Sequence, residues 1–316
     1  MHLSKNYKIS LLFLGMLFCH IVVPNFLPFV SDMSLYSLLV LSQVLVQLPV
    51  VVYLAAESEN PLKLISLKPV NPISLLLLVL MTFCVIPFAA LLNLISQLFS
   101  GNALAGIAEV TMGGSICINL LFIALMPALS EEFAFRGVIF HSLRRSGGWF
   151  AIVLSALFFG MMHLNLNQFF YTFGIGIFMA LAVEATGSLW GSVAVHFTLN
   201  ANSVVLMKVL DAVYKNVGID DLVNETGKQT ISSSQMILSI IVIGGFALVM
   251  MIPAISLLFA AAKLCKREES IKALFVRSRE TAESDIKAPE KRRKILDIFF
   301  VLCVAASFAY MILVPV

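Results

Sequence analysis

Residues 73–98 read ISLLLLVLMTFCVIPFAALLNLISQL. The run holds no charged side chain, and as a helix rising ~1.5 Å per residue it is long enough to cross a ~30 Å hydrocarbon core. Eight further apolar runs lie outward from it, at 9–30, 34–55, 114–143, 149–165, 168–186, 189–208, 236–262 and 295–314. The expectation is an all-α polytopic transmembrane helical bundle of about nine spans. The fourth run is overlong and contains Pro127, so it should kink or begin with a segment that does not span. The fifth and sixth are joined by the asparagine-rich stretch from His163 to Gln168. Composition agrees, with 60% of the 316 residues apolar and 12% charged, about half the charge of a soluble domain.

Basic residues orient the bundle. With the N-terminus inside, the inner segments hold eighteen lysines and arginines, among them Lys5, Lys8, Lys63, Lys68, Arg136, Arg144, Arg145 and eleven in 263–294. The outer segments hold three, Lys208, Lys215 and Lys228. This asymmetry predicts a cytoplasmic N-terminus, and an odd span count then puts the C-terminus outside. The first run, preceded by Lys5 and Lys8, reads as a retained signal anchor. Cys19, Cys84, Cys117, Cys265 and Cys303 show no CxxC spacing and read as small buried hydrophobes. Segment 263–294 reads as a solvated cytoplasmic linker, with a patch for anionic lipid as the sharper reading. Its charge is local and has no aromatic interleaving, which argues against nucleic-acid partners. Segment 209–235, with Asp211, Asp220, Asp221 and Glu225, reads as a polar outer loop.

Ionisable residues inside spans are costly and are functional candidates by default. Here they gather in one part of the chain. In Ser130-Glu131-Glu132-Phe133-Ala134-Phe135-Arg136, Glu132 and Arg136 are i and i+4 and can pair. Glu131, rotated ~100° away, is left uncompensated, which suits a general base. A salt-bridged helix end is the plainer reading of that motif alone. In Phe159-Gly160-Met161-Met162-His163, the histidine ends an apolar helix. With 145–148 as the turn between antiparallel helices, Glu131 and His163 both lie ~20 Å from it and can meet. In His196-Phe197-Thr198-Leu199-Asn200, the histidine and asparagine share a face ~9 to 15 Å into their span. Both can donate to a developing oxyanion, or simply tie helices together. Gln43 and Gln47, an i, i+4 pair, and Asn119 read as interhelical hydrogen-bonders. His2, His20 and His141 read as structural or interfacial.

The order Glu-Glu-x-x-x-Arg, Phe-x-x-x-His, His-x-x-x-Asn resembles the CPBP family of intramembrane proteases, which includes Rce1-like CAAX prenyl endopeptidases and the bacterial Abi, or bacteriocin self-immunity, proteins. The stretch Thr186-Gly187-Ser188-Leu189-Trp190 also matches the family's style. The likeness covers about 113–205 and implies three parts: N-terminal spans 1–112, a catalytic core 113–205, and 206–316 with the outer loop, the eighth span, the basic linker and the ninth span. It implies a membrane-enclosed cavity in which Glu131, helped by His163, activates water against a peptide carbonyl. His196 and Asn200 would stabilise the oxyanion, while Glu132 and Arg136 hold the geometry. No cofactor is expected on this reading. The alternative is zinc held by Glu131, His163 and His196, although no HExxH is present.

The expected partners are membrane lipids and a hydrophobic or lipidated peptide substrate. The expected location is a bacterial plasma membrane. Two rivals stay open: a non-catalytic membrane protein of the immunity or scaffold type, and a transporter. The latter is disfavoured by the absence of an inverted repeat and by polar residues that sit in one block.

Overall fold

The computed structural model describes residues 5–57, 65–100, 111, 114–144, 147–217, 232–275 and 298–314. His2, Lys63, Arg145, Asp220, Asp221, Glu225, Lys228 and the basic run 291–294 lie outside the described residues. Every described element is helical, and the chain is a multi-pass membrane protein. In order the helices are α1 (Lys5–Ile21), α2 (Leu35–Ala56), α3 (Pro72–Ser96), α4 (Ile116–Leu143), α5 (Gly148–Met162), α6 (Leu166–Thr186), α7 (Leu189–Val217), α8 (Ser233–Leu264), α9 (Glu268–Phe275) and α10 (Ile298–Leu313). The nine expected spans correspond to all of these except α9. Among the described residues seven apolar helices are long enough to cross a bilayer; α5 and α10 are shorter.

Several boundaries depart from expectation for local reasons. The first span ends at Ile21 rather than Val30, because Pro24 and Pro28 break it into the short 3-10 turns Val23–Phe26 and Val30–Asp32. Asn165 caps α6 through its side chain, so that helix starts at Leu166. Helix α7 runs nine residues past the expected end at 208, carrying the start of the expected polar loop with it. The fourth span does not simply kink at Pro127. It contains two π-helical stretches, Leu120–Leu125 and Phe133–Phe140, with α-helical Met126–Glu132 between them. Each π stretch rotates the faces that follow it.

Helices α3 and α8 form the most extensive pair, α6 packs against α3, α5 and α7, and α1 packs against α2 and α10. Small residues let α5 and α6 approach closely. A Cβ on Gly176 would stand 3.0 Å from the Ala156 Cβ and 3.1 Å from Arg136 Nη2. Gly187 closes α6 with φ +69°, a conformation only glycine adopts without cost. The turn after it is laced to the loop before α3: Ser66 Oγ donates to Gly187 O (2.6 Å), Leu189 N to Ser66 O (2.7 Å) and Ser188 Oγ to Lys68 O (2.6 Å).

Segment 263–294 is not wholly a solvated linker. Its first part forms α9, which packs on the bundle because one face is apolar: Ile271 is buried, and Trp149 Nε1 donates to Leu274 O (2.6 Å). Glu268 and Lys272 pair on the exposed face (2.8 Å), the lysine holding the carboxyl below its usual range. Just before α9, Arg267 reaches the uncharged turn at Gly187. It donates to Glu184 O (2.9 Å) and pairs with the Glu184 carboxylate (3.3 Å), which also holds Arg144 at 2.6 Å. Sequence reading passed over Glu184, an acid buried near a helix end whose partners come from two distant segments. Replacing it as Glu184→Gln leaves both arginines without their shared anion. Both are partly exposed, so we expect a loss of about 1–3 kcal/mol, read as a lower melting temperature and faster proteolysis within 263–275.

Candidate active site

The carboxylates come from the α-helical turn of α4 between its two π stretches. Glu132 points into the bundle and is fully buried. Its Oε1 accepts from Arg136 Nη1 (2.9 Å) and His196 Nδ1 (2.9 Å), and its Oε2 accepts from Ser192 Oγ. The i, i+4 pair expected from sequence therefore forms, but Arg136 is not a surface cation: it too is fully buried. Its guanidinium lies 4.3 Å above the Phe159 ring and donates to Gly176 O (3.1 Å). Neither member could remain charged here without the other.

Glu131 faces elsewhere, as its rotation on the helix requires. Its Oε1 accepts from Gln43 Nε2 on α2 (2.8 Å), and its Oε2 lies 3.9 Å from His196 Nε2. The side chain is 17% exposed, against none for Glu132. The two neighbours thus differ sharply: Glu132 is saturated with donors and sealed, while Glu131 has one firm donor and an open side.

His163 caps the end of α5 and donates from Nδ1 to Phe159 O (2.9 Å), which leaves Nε2 with its lone pair. It is close enough to Glu131 for their charges to interact. The chain reverses at once through Leu164, whose φ of +51° is strained for a leucine by ~1–3 kcal/mol. Helix α5, about 22 Å long at ~1.5 Å per residue, ends short of a full crossing, which keeps His163 inside the bundle. The Phe159 ring meets His163 and His196 edge-on, with centroids 4.9 and 5.7 Å away.

Asn200 is on the same face of α7 as His196 and Ser192. Its Nδ2 donates to Ile123 O (3.2 Å). That carbonyl lies four residues before Pro127, which has no N–H to offer it. The i+4 donor to that carbonyl is missing, and the asparagine supplies one from α7. An amide has two N–H groups, so one is left for an oxyanion.

The structure brings Glu131, Glu132, Arg136, His163, His196 and Asn200 into one region. Among the described residues no three His, Cys, Asp or Glu side chains form a group that could hold a metal ion. His20 is closer to the site than expected. It lies on α1 within electrostatic reach of His163 and Glu131, with Nδ1 3.4 Å from Ser42 Oγ. Tyr171 on α6 is also within reach of Glu131. His141 is structural as expected, its Nδ1 donating to Arg136 O (2.5 Å) within the second π stretch. Asn119 ties helices as expected, accepting from Tyr36 Oη (2.7 Å). Sequence reading missed Ser192, although it stands one turn before His196 and the spacing Ser-x-x-x-His-x-x-x-Asn marks a common face.

Residues 113–202 match the family of Type II CAAX prenyl endopeptidases described as Rce1-like. A relative is the membrane-embedded CAAX protease MroQ of Staphylococcus aureus (strain USA300), 26% identical over 216 residues that cover 61% of this chain and 85% of that protein. Residues 113–202 are thus similar to the CPBP family of intramembrane proteases. No solved structure matches the chain. Helices α1, α2 and α3 lie outside the matched residues 113–202, yet α2 supplies the donor to Glu131.

The buried pair gives a test that separates its two partners. In Arg136→Met, Glu132 loses its guanidinium inside the bundle, and we expect a cost of about 3–5 kcal/mol in thermal unfolding. In the double variant Arg136→Met/Glu132→Leu, much of that loss should return, because no buried charge is left alone. Activity should not return, since His196 Nδ1 loses its acceptor.

Proposed function

We propose that this protease hydrolyses a peptide bond in a hydrophobic or membrane-bound peptide or protein by water activated at Glu131. The observation that carries the reading is the contrast between the two carboxylates, one sealed by three donors and the other open beside two imidazoles. Glu131 takes a proton from water as the water oxygen attacks the scissile carbonyl. His163, its Nδ1 tied to Phe159 O, accepts from the same water at Nε2 and orients it. His196, held at Nδ1 by Glu132, donates from Nε2 to the oxyanion, joined by the second N–H of Asn200. The proton on Glu131 then passes to the leaving amine as the C–N bond breaks. By analogy with the CAAX proteases, the substrate class includes a peptide ending in a Cys-a-a-X motif whose cysteine carries a lipid.

The test uses the purified full chain in detergent and an internally quenched peptide, with and without a prenylated cysteine. Glu131→Gln and His163→Ala should abolish cleavage without loss of membrane insertion, and Asn200→Ala should lower turnover roughly 10²–10³-fold. Activity should survive 1,10-phenanthroline, with a non-chelating isomer controlling for binding of the chelator itself. Stoichiometric zinc, with activity lost on stripping and regained on zinc addition, would make Glu131, His163 and His196 metal ligands instead.

We also propose a plasma-membrane location with a cytoplasmic N-terminus. The basic bias supports it even with the buried Arg136 removed from the inner count. The other counted residues that can be placed at one end, Lys68, Arg144 and Arg267, surround a single cavity of about 690 Å³ with Glu184 and His141. Reporter fusions after residue 270 should be cytoplasmic and those after 225 external; both on one side would break this orientation.

A further inference from the structure

Helix α2 grips the catalytic turn of α4 at two points, one helical turn apart on the same face. Gln47 Nε2 donates to the backbone carbonyl of Ser130 (2.7 Å). Gln43 Nε2 donates to Glu131 Oε1 (2.8 Å), and its Oε1 accepts from Ser130 Oγ. The sense of the Gln43 amide follows from chemistry. A carboxylate only accepts, so the NH2 end must face Glu131, and the carbonyl end must then face the hydroxyl. Reversal would set a carbonyl oxygen against a carboxylate. Ser130 Oγ, whose one proton is shared between Gln43 Oε1 and Met126 O (2.9 Å), favours that sense, and Gln43 fixes Glu131.

This arrangement exceeds what helix adhesion needs. Two polar side chains that merely joined α2 to α4 could meet any backbone or hydroxyl group between them. Here one of the two meets the one carboxylate in the site that is neither saturated nor sealed. It occupies a single oxygen of that carboxylate and leaves Oε2 turned toward His196 Nε2, at 3.9 Å. Without that donor the carboxylate would rotate freely and sweep both oxygens through the site.

We propose that Gln43, on α2 and outside the segment shared with the protease family, is a positioning residue that pins Glu131 Oε1 and presents Oε2 as the reacting base. The inference rests on the reading of Glu131 as the general base. It makes α2 part of the site rather than a membrane anchor beside it. Ser130 acts one step further back, by holding the Gln43 amide in the sense that donates.

The experiment compares Gln43→Met, Ser130→Ala, the double variant and Glu131→Gln in the full chain, with the quenched lipidated peptide as substrate. Methionine keeps the length and apolar stem of glutamine but removes the donor. The expected result for Gln43→Met is a kcat lower by roughly 10- to 100-fold. KM should change less than twofold, because the glutamine holds the base and not the substrate. Ser130→Ala should lower kcat about threefold, and the double variant should match Gln43→Met alone, since both changes remove the same relay. A merely structural role would instead lower the melting temperature, raise KM or give independent, additive losses. Should Gln43→Met fail to fold, Ser130→Ala and its kcat carry the decision.

Wild-type kcat in a folded Gln43→Met, with Glu131→Gln inactive, overturns the inference and leaves the catalytic reading of Glu131 standing. Activity in Glu131→Gln overturns both.

Discussion

A single ion pair, Glu132 with Arg136, organises the centre of this bundle. Both side chains are fully buried where no water can solvate them, so each requires the other and every remaining lone pair or N–H must find a partner. Those partners dictate the surrounding architecture. Gly176 must lack a side chain so that its carbonyl can reach Arg136, and α5 and α6 then lie close together. Phe159 must present its face to the guanidinium. Ser192 and His196 must stand one turn apart on α7 to reach the carboxylate from the other side. Four helices are set by the needs of two charges.

Helix α4 meets those needs by departing from regular geometry on either side of the glutamates. An unbroken α-helix would carry a fixed face from Asn119 to Leu143. The two π stretches change the phase, so that Glu132 and Arg136 face the interior together while Glu131 turns toward α2. Four residues before Pro127, the Ile123 carbonyl accepts a hydrogen bond from Asn200 on α7. The irregularity thus creates the interhelical contacts that hold the polar groups at a common depth.

Much of the site was legible in the sequence, and for a clear reason. Charge inside an apolar run is expensive, so Glu131, Glu132, His163 and His196 stand out against their neighbours, and i, i+4 spacing pairs Glu132 with Arg136 and His196 with Asn200. Gln43 and Gln47 were visible as a polar pair, but not what they touch, because the contact spans 88 residues of chain for Gln43 and Glu131. His20 was set aside for the same reason: nothing in its own neighbourhood reveals that α1 lies beside the site. Glu184 was overlooked because a carboxylate near a helix end is ordinarily solvated, and only the return of Arg267 across the turn at Gly187 buries it.

By itself the sequence determined the membrane class, the number of apolar helices, the order of the three motifs and which residues could carry chemistry. Those properties follow from hydropathy and helical periodicity, which act over one or two turns. The spacing to Arg136 already marked Glu132 as the paired carboxylate and Glu131 as the uncompensated one; the tertiary structure alone decided that α7 seals the first and that α2 meets the second. The two are adjacent, chemically identical and equally apolar in context along the chain. Beyond that spacing they differ in which helices face them: α7 with two of the three donors around one, α2 with a single amide before the other. A linear pattern cannot encode that difference, because it depends on the side from which distant segments arrive.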